Sequence, residues 1–363
     1  MLVLAVMLFM RAIAVVLLLA LLLLLPAMPV MTGIAVLLLK AGMSVFKPQL
    51  SHHSREGHQI VSADTYDRER VIAFINGKGG VMKTTLSANV GGLAAASGYR
   101  VLIVDFDPQG NLAEDLGYTE TDRDDHGRAL AAALTFGGVV EPVRGVRENL
   151  DVLTGGVHLE QATAALASKT AKDPHGAKLA LAALLRPLAG DYDLIIIDCP
   201  PGDETLQNAA LAAARWAVVP IKSDASSRKG LAAVAHRLDA VLEINPSLDL
   251  LGVVLVGVGK SATAVQERAR KLVAEAFQDD SVLFSGVVRH SEATAQATRE
   301  RGLLVHELDD AVRKGPKWYE VIRGEAQAQS LAPKSSGSVA DDLLAITQEM
   351  IARITAAEEK ANA

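Results

Sequence analysis

Two lysines five positions apart, Lys78 and Lys83, lie in a stretch otherwise made of glycine and small or uncharged residues: Asn76-Gly77-Lys78-Gly79-Gly80-Val81-Met82-Lys83-Thr84-Thr85. Glycines, an ammonium group and a hydroxyl in this order suit the capture of a polyphosphate together with a divalent cation. Glycine lets successive backbone N–H groups converge on an anion where a Cβ would intrude. Lys83 supplies a point charge for the outer phosphates, and the Thr84 hydroxyl supplies a ligand for Mg²⁺. The usual spacing, G-x-x-x-x-G-K-[ST], is met at Gly77, Lys83 and Thr84, but Met82 stands where the second glycine falls. A glycine-rich turn with no ligand is the plainer alternative. Two acidic motifs downstream weigh against it.

The flanking segments are those such a loop needs. An apolar run, residues 71–75, reads as a strand before it, and residues 86–96 read as a helix after it. That helix brings the positive end of its dipole to the glycines. Val101-Leu102-Ile103-Val104 reads as a buried parallel strand ending in Asp105 and Asp107, where ligands bind in open α/β sheets. The bland reading of these two carboxylates is that they close the strand and cap a short helix, residues 111–116. Leu194-Ile195-Ile196-Ile197 is a second buried strand ending in Asp198, a carboxylate suited to hold Mg²⁺ through water opposite Thr84. Asp193 falls at that strand's start, on the far side of the sheet, and Cys199 reads as a small core residue.

The remaining periodicity places helices at residues 128–134, 159–167, 177–185, 207–214, 227–242 and 262–277, and strands at 149–153, 216–221 and 250–258. Residues 120–125 read as an acidic surface loop and 314–338 as a loop. Val339, Leu343, Ile346, Met350 and Ile354 form one stripe of a closing helix. Alternating strands and helices predict an α/β fold: a doubly wound, mostly parallel sheet of the P-loop NTPase kind.

Lys78-Gly79-Gly80-x-x-Lys83-Thr84 resembles the deviant Walker A motif of the ParA/MinD family of ATPases. The run ending Asp107-Pro108-Gln109-Gly110-Asn111 is similar to that family's second motif, and Asp198-Cys199-Pro200-Pro201 to its Walker B and switch II segment. Val287-Val288-Arg289-His290-Ser291-Glu292-Ala293 resembles its late Arg-x-Ser-Glu-Ala stretch. The likeness spans roughly residues 70–354 and favours the ParA, or Soj-type, partitioning branch. It departs at Lys222-Ser223-Asp224, where relatives commonly carry Gln-Pro-Glu.

The resemblance implies slow, partner-stimulated hydrolysis of ATP to ADP and phosphate with Mg²⁺. Gly77, Lys78, Gly79, Gly80, Val81, Met82, Lys83, Thr84 and Thr85 would bind the nucleotide, and Thr84, Asp198 and Asp105 would hold or adjoin the metal. Lys78, Lys83 and Asp107 would be catalytic, Asp107 by orienting the attacking water and Lys78 by crossing to the phosphates of a partner subunit. It further implies a homodimer formed on ATP binding, a ParB-like centromere-binding partner, and non-specific DNA binding in the cytoplasm, on the nucleoid. Arg268, Arg270, Lys271 and Arg289 are the DNA candidates, against the plainer reading of solvated helix faces. Two alternatives differ in class: a membrane-anchored P-loop ATPase or tyrosine kinase, and an adaptor that binds nucleotide without turnover. The kinases end in tyrosine-rich tails, whereas the last tyrosine here is Tyr319.

Composition sets bounds. The 363-residue chain carries a net charge of −6, so nucleic-acid contact requires a local basic patch. Its single cysteine allows no intrachain disulfide and fits a reducing compartment. With 4% aromatic residues, base-stacking platforms are disfavoured. Residues 1–39 are almost wholly apolar with Arg11 the only charge, and residues 1–25 have about the 20-residue length of a membrane span. Three readings compete for them. A secretory signal lacks its positive n-region. A membrane anchor fits Lys40, Lys47, Arg55, Arg68 and Arg70 on its C-terminal side. A misassigned start, with Met43 as the first residue, is favoured. The expected organisation is an apolar segment 1–42, a linker 43–68 with solvated histidines, an ATPase domain 69–357 and a tail 358–363. Membrane contact is expected only if residues 1–42 are expressed.

Overall fold

A computed structural model describes residues 68–224, 227–259, 263–315, 323, 333 and 335–362. The N-terminal segment 1–42, nearly all of the linker and most of the expected loop 314–338 lie outside the described residues.

Within them, eight strands form one sheet in the order β3-β4-β2-β5-β1-β6-β7-β8. They are β1 Val71–Phe74, β2 Val101–Asp105, β3 Val143–Arg147, β4 Leu150–Leu153, β5 Leu194–Asp198, β6 Trp216–Ile221, β7 Asp249–Val258 and β8 Leu283–Arg289. Every neighbouring pair is parallel except β3 with β4. The central strands are apolar up to the carboxylates that end β2 and β5, because both faces are covered, which is the signature of crossover-connected parallel strands. The doubly wound, mostly parallel α/β fold expected from the pattern is the fold found.

One apolar layer joins Ile72, Phe74, Ile103 and Ile196 to α1 (Lys83–Ala96), the five-residue α2 (Leu112–Leu116), the start of α11 (Val305–Lys314) and the closing helix α12 (Ser336–Ala361). The opposite layer joins Ala73, Leu102, Val104 and Ile197 to α3 (Arg128–Phe136), α4 (Leu159–Thr170), α6 (Ala180–Leu185), α7 (Glu204–Ala213), α8 (Ser227–Leu242) and α9 (Thr263–Phe277). Helices α5 (Pro174–Lys178) and α10 (Glu292–Arg301) complete the set. No described helix is long and apolar enough to cross a membrane.

Several elements differ from the periodicity, each for a local reason. The helix expected at 177–185 is two helices, because the Asp173 carboxylate accepts the Gly176 N–H at 2.8 Å and Pro174 occupies the first turn, starting α5 early. Helix α7 begins at Glu204 rather than 207, where the Asp203 carboxylate accepts the Leu206 N–H at 3.0 Å. β3 escapes the pattern because it is an antiparallel edge strand with exposed Arg144 and Gly145. Residues 358–361 continue α12, and Glu358 pairs with Arg70 at 2.7 Å.

The C-terminal third is bolted to the elements that follow the second motif. Gly117 and Gly302 end α2 and α10 in left-handed conformation (φ 68° and 58°), and their backbones press together. A Cβ on Gly117 would stand 2.7 Å from the Gly302 carbonyl oxygen and 2.9 Å from its Cα. Arg147 closes the joint, donating to the Leu116 and Gly302 carbonyls at 3.1 and 2.9 Å and to Glu307 at 2.6 and 3.1 Å. Gly117→Ala, which meets both a backbone clash and a positive φ, is expected to destabilise the fold by roughly 2–4 kcal/mol in urea unfolding. A flexible surface loop at this point would show a loss below about 0.5 kcal/mol.

Candidate nucleotide-binding site

Each functional segment leaves the C-terminal end of a central strand. β1 feeds the glycine loop, β2 the Asp107 turn and β5 the Asp198-Cys199-Pro200-Pro201 run, and β1 and β2 flank β5. Register then decides which carboxylates meet. Asp105 and Asp198 are paired residues on adjacent strands, both fully buried, on the side that faces α1.

Three side chains of α1 converge on Asp198. The Ser87 hydroxyl donates to Oδ1 at 3.1 Å, and Thr84 and Lys83 favour its charged form from the first turn of the helix. Ser87 had no motif to mark it; its place one helical turn beyond Lys83 was the available signal. Burial raises the Asp198 pKa to about 7, with Asp107 adding to the rise and Thr84, Lys83 and Ser87 opposing it. Asp105 is also driven well up by burial and by the charge of Asp198. One oxygen of each carboxylate, Asp105 Oδ2 and Asp198 Oδ2, is buried without a hydrogen-bond partner. Buried unpaired acceptors beside a hydroxyl are what a hydrated divalent cation satisfies, so the donor set fits Mg²⁺.

The two lysines do different things. Lys83 is buried, and its ammonium donates to the Lys78 carbonyl at 3.2 Å, inside the curve of the loop. Burial lowers its pKa while Asp198, Cys199 and Asp107 pull it back up. Lys78 is partly exposed, and its ammonium pairs with Asp224 in the Lys222-Ser223-Asp224 segment that departs from the common pattern. Asn76 ties the two strand ends together: its amide donates to the Pro220 carbonyl at 2.8 Å and its oxygen accepts the Lys78 N–H at 2.9 Å. Gly79 and Gly80 are exposed, and a Cβ on Gly79 would reach only Pro201 at 3.9 Å, so the loop lies open above the switch segment.

Met82 takes the left-handed conformation (φ 62°, ψ 28°) that a glycine would adopt freely, and its side chain leans against the α1 layer of the core. Leu86 N–H then makes the first helical bond, to the Met82 carbonyl at 2.9 Å, leaving the N–H groups of Lys83, Thr84 and Thr85 at the helix start.

Asp107, nearly buried, accepts the Gln109 N–H at 2.9 Å, and burial raises its pKa. Its carbonyl accepts the N–H groups of Gly110 at 3.0 Å and Gly156 at 3.1 Å. The loop Gly155–Gly156 thus backs the second motif, and a Cβ on Gly155 would strike the Asp105 carboxylate at 2.5 Å. Asp193 sits at the opposite end of β5, bound to Arg100 at 2.9 Å, and Cys199 is buried with its thiol pushed up by burial.

The basic candidates lie apart from this site's chemistry. Arg268, Arg270 and Lys271 are exposed on α9, whose Ala269 and Val273 face the core; Arg270 approaches Asp280 at 3.6 Å. Arg289 is engaged in a two-pronged pair with Asp342 of α12, at 2.6 and 2.7 Å.

Two expected outcomes follow from this geometry. Met82→Gly keeps stability within about 1 kcal/mol, since relief of positive φ is offset by reduced packing and a freer unfolded chain, whereas Met82→Val costs roughly 1–3 kcal/mol. Urea unfolding of both variants checks this. Because Asp198 holds its proton longer when folded, it contributes stability below the ordinary carboxylate value of 3.8 that is lost as pH rises to about 7. Unfolding measured with chelator and without nucleotide across that window is therefore expected to show a flatter decline for Asp198→Asn than for the parent.

The family model described as an AAA domain matches residues 69–250. The chromosome partitioning protein ParA of Caulobacter vibrioides is 34% identical over 272 residues, which cover 72% of this chain and 97% of that one. A variant of McdA from Cyanothece in complex with ATP superposes with a TM-score of 0.59 at 19% identity, covering 78% of this chain and 96% of the other, a likeness of fold. Cobyrinic acid a,c-diamide synthase from Mycobacterium smegmatis, solved with an ATP analogue and magnesium, has a TM-score of 0.53 and is 30% identical, covering 68% of this chain and 97% of the other. The motifs, the sheet order and these relatives agree: the chain belongs to the ParA/MinD family of P-loop ATPases.

Proposed function

We propose that the chain is an ATP-dependent dimerisation switch that hydrolyses ATP to ADP and phosphate and, while paired, holds DNA non-specifically for plasmid or chromosome partitioning. The observation that carries this reading is the divergence of the two lysines: Lys83 turns into the loop beside Asp198, whereas Lys78 turns outward to Asp224. A single nucleotide in the cradle uses Lys83. An outward lysine at the rim can serve the phosphates of a second subunit once its pairing with Asp224 is exchanged.

In this reading the loop N–H groups, the start of α1 and Lys83 bind the β- and γ-phosphates, with residues 77–85 as the cradle. The Thr84 hydroxyl and Asp198 would hold Mg²⁺, with Asp105 adjoining, and the ion would supply charge neutralisation for the phosphates. Asp107 orients the attacking water. Lys78 of each subunit crosses to the other's nucleotide, so loss of the γ-phosphate releases the pair. Turnover is slow until a ParB-like partner completes the site. Exposed Arg268, Arg270 and Lys271 are the groups offered to DNA phosphates, while Arg289 contributes less because Asp342 occupies its guanidinium. The chromosome partitioning protein among the relatives supports the partitioning role proposed here. The domain boundaries 69–357 are kept as part of this proposal, extended by the continuation of α12 to Ala361.

The test separates the lysines. Lys83→Ala is expected to weaken binding of a fluorescent ATP analogue by at least about tenfold, the weight of one charge-assisted contact. Lys78→Ala is expected to keep that affinity within about threefold yet remain monomeric with ATP in light scattering, without phosphate release. Asp107→Ala should accumulate an ATP-bound dimer that releases no phosphate. Equal loss of affinity in both lysine variants, or normal turnover in Asp107→Ala, overturns the assignment.

A further inference from the structure

Pro200 and Pro201 follow Asp198 and Cys199 off the end of β5, and neither has a backbone N–H. Their backbone can be hydrogen-bonded only through its carbonyls. The Pro201 carbonyl accepts the Asp203 N–H at 3.0 Å, a bond within the turn. The Pro200 carbonyl is held from outside the turn: the Gln207 amide, in the first turn of α7, donates to it at 2.6 Å. From the sequence, Gln207 was no more than the start of a helix, and Arg237 carried no expectation.

Gln207 is fully buried, and its amide oxygen accepts a hydrogen bond from Nη1 of Arg237 in α8. A guanidinium only donates and a carbonyl only accepts, so the amide between them has a single workable orientation. Arg237 is itself braced, its side chain 12% exposed and its Nη2 donating to Glu204 at 2.9 Å. The cation polarises the amide and strengthens the bond that the amide makes to Pro200.

α8 is a firm anchor for this chain of donors. Leu231, Val234, Leu238 and Val241 bury one face of it. Its first turn rests on the start of the glycine loop, where a Cβ on Gly230 would stand 3.4 Å from Asn76 Oδ1. About two turns later the same helix presents Arg237. One element therefore touches the loop at one end and holds the segment after Asp198 at the other. That segment lies against the site, since Pro201 is the neighbour a Cβ on Gly79 would meet, and the Asp203 charge bears on Asp107.

We propose that Gln207 and Arg237 are positioning residues for hydrolysis: Arg237 orients the Gln207 amide, and the amide fixes Pro200, so that the segment after Asp198 keeps its place beside the glycine loop while the γ-phosphate is attacked. The inference rests on the reading of the site as one that hydrolyses ATP.

The test uses the full chain with Mg²⁺, following phosphate release from ATP and the affinity for a fluorescent non-hydrolysable analogue. Gln207→Glu is the informative variant, because a carboxylate still pairs with Arg237 but has no proton for the Pro200 carbonyl. Gln207→Met fills the space and makes neither bond. In both, kcat is expected to fall about tenfold or more while analogue affinity stays within about twofold, the pattern of an interaction that serves the chemical step and not binding. Arg237→Met leaves the amide unoriented and is expected to lower kcat about fivefold, and Arg237→Lys, the mildest change to the fold, to recover most of that loss. If the network only braces α7 against α8, Gln207→Glu keeps the brace and turns over at the parental rate. That result overturns the inference, as does a loss of analogue affinity in step with kcat. A parent chain that binds the analogue but releases no phosphate overturns the hydrolytic reading and the inference together.

Discussion

Two carboxylates, Asp105 and Asp198, are forced side by side at the ends of adjacent buried strands, and the site is built around the cost of that placement. Neither can reach bulk water, and the charge of Asp198 raises the proton affinity of Asp105. α1 answers with Thr84, Ser87 and Lys83, all aimed at Asp198 from its first turns. An oxygen of each acid is still left unpaired. A sheet that stores negative charge at its C-terminal edge, under a loop of N–H groups and a buried ammonium, is poised for a ligand bringing both anionic oxygens and a hard cation.

The same strain explains the bracing around the site. Asn76 joins the loop to the end of β6, and the Gly155–Gly156 backbone closes over Asp105 and Asp107. Gln207 donates to the Pro200 carbonyl at 2.6 Å and is itself held by Arg237 of α8, so the switch segment is anchored through two helices. On the other layer, Arg147, Gly117 and Gly302 tie α2 to α10 and α11. The strained, left-handed Met82 survives because its side chain rests on that layer. Charge at the centre is tolerated because packing and backbone contacts on all sides fix it in place.

The proposed switch requires an exchange of partners. Lys78 already has an internal partner in Asp224 and must trade it for a phosphate.

Much of this was legible in the chain. Runs such as Leu194-Ile195-Ile196-Ile197 can only be strands buried on both faces, and carboxylates at their ends mark the ligand edge of an α/β sheet. Local chemistry marked the glycine loop, Lys83, Thr84 and Asp198 as candidates, since each motif is contiguous, and the family resemblance added Asp107. What the sequence could not decide were the relations between distant segments. Strand order and register made Asp105 and Asp198 neighbours, turned Lys78 toward Asp224 and Lys83 away from it, and engaged Arg289 with Asp342. The antiparallel edge strand β3 and the pairing of Gly117 with Gly302 were equally hidden. Local periodicity records which face of an element is buried; which residues meet across 93 to 184 positions of chain, as Arg100 meets Asp193 and Arg299 meets Asp115, is set only when the layers close on the sheet.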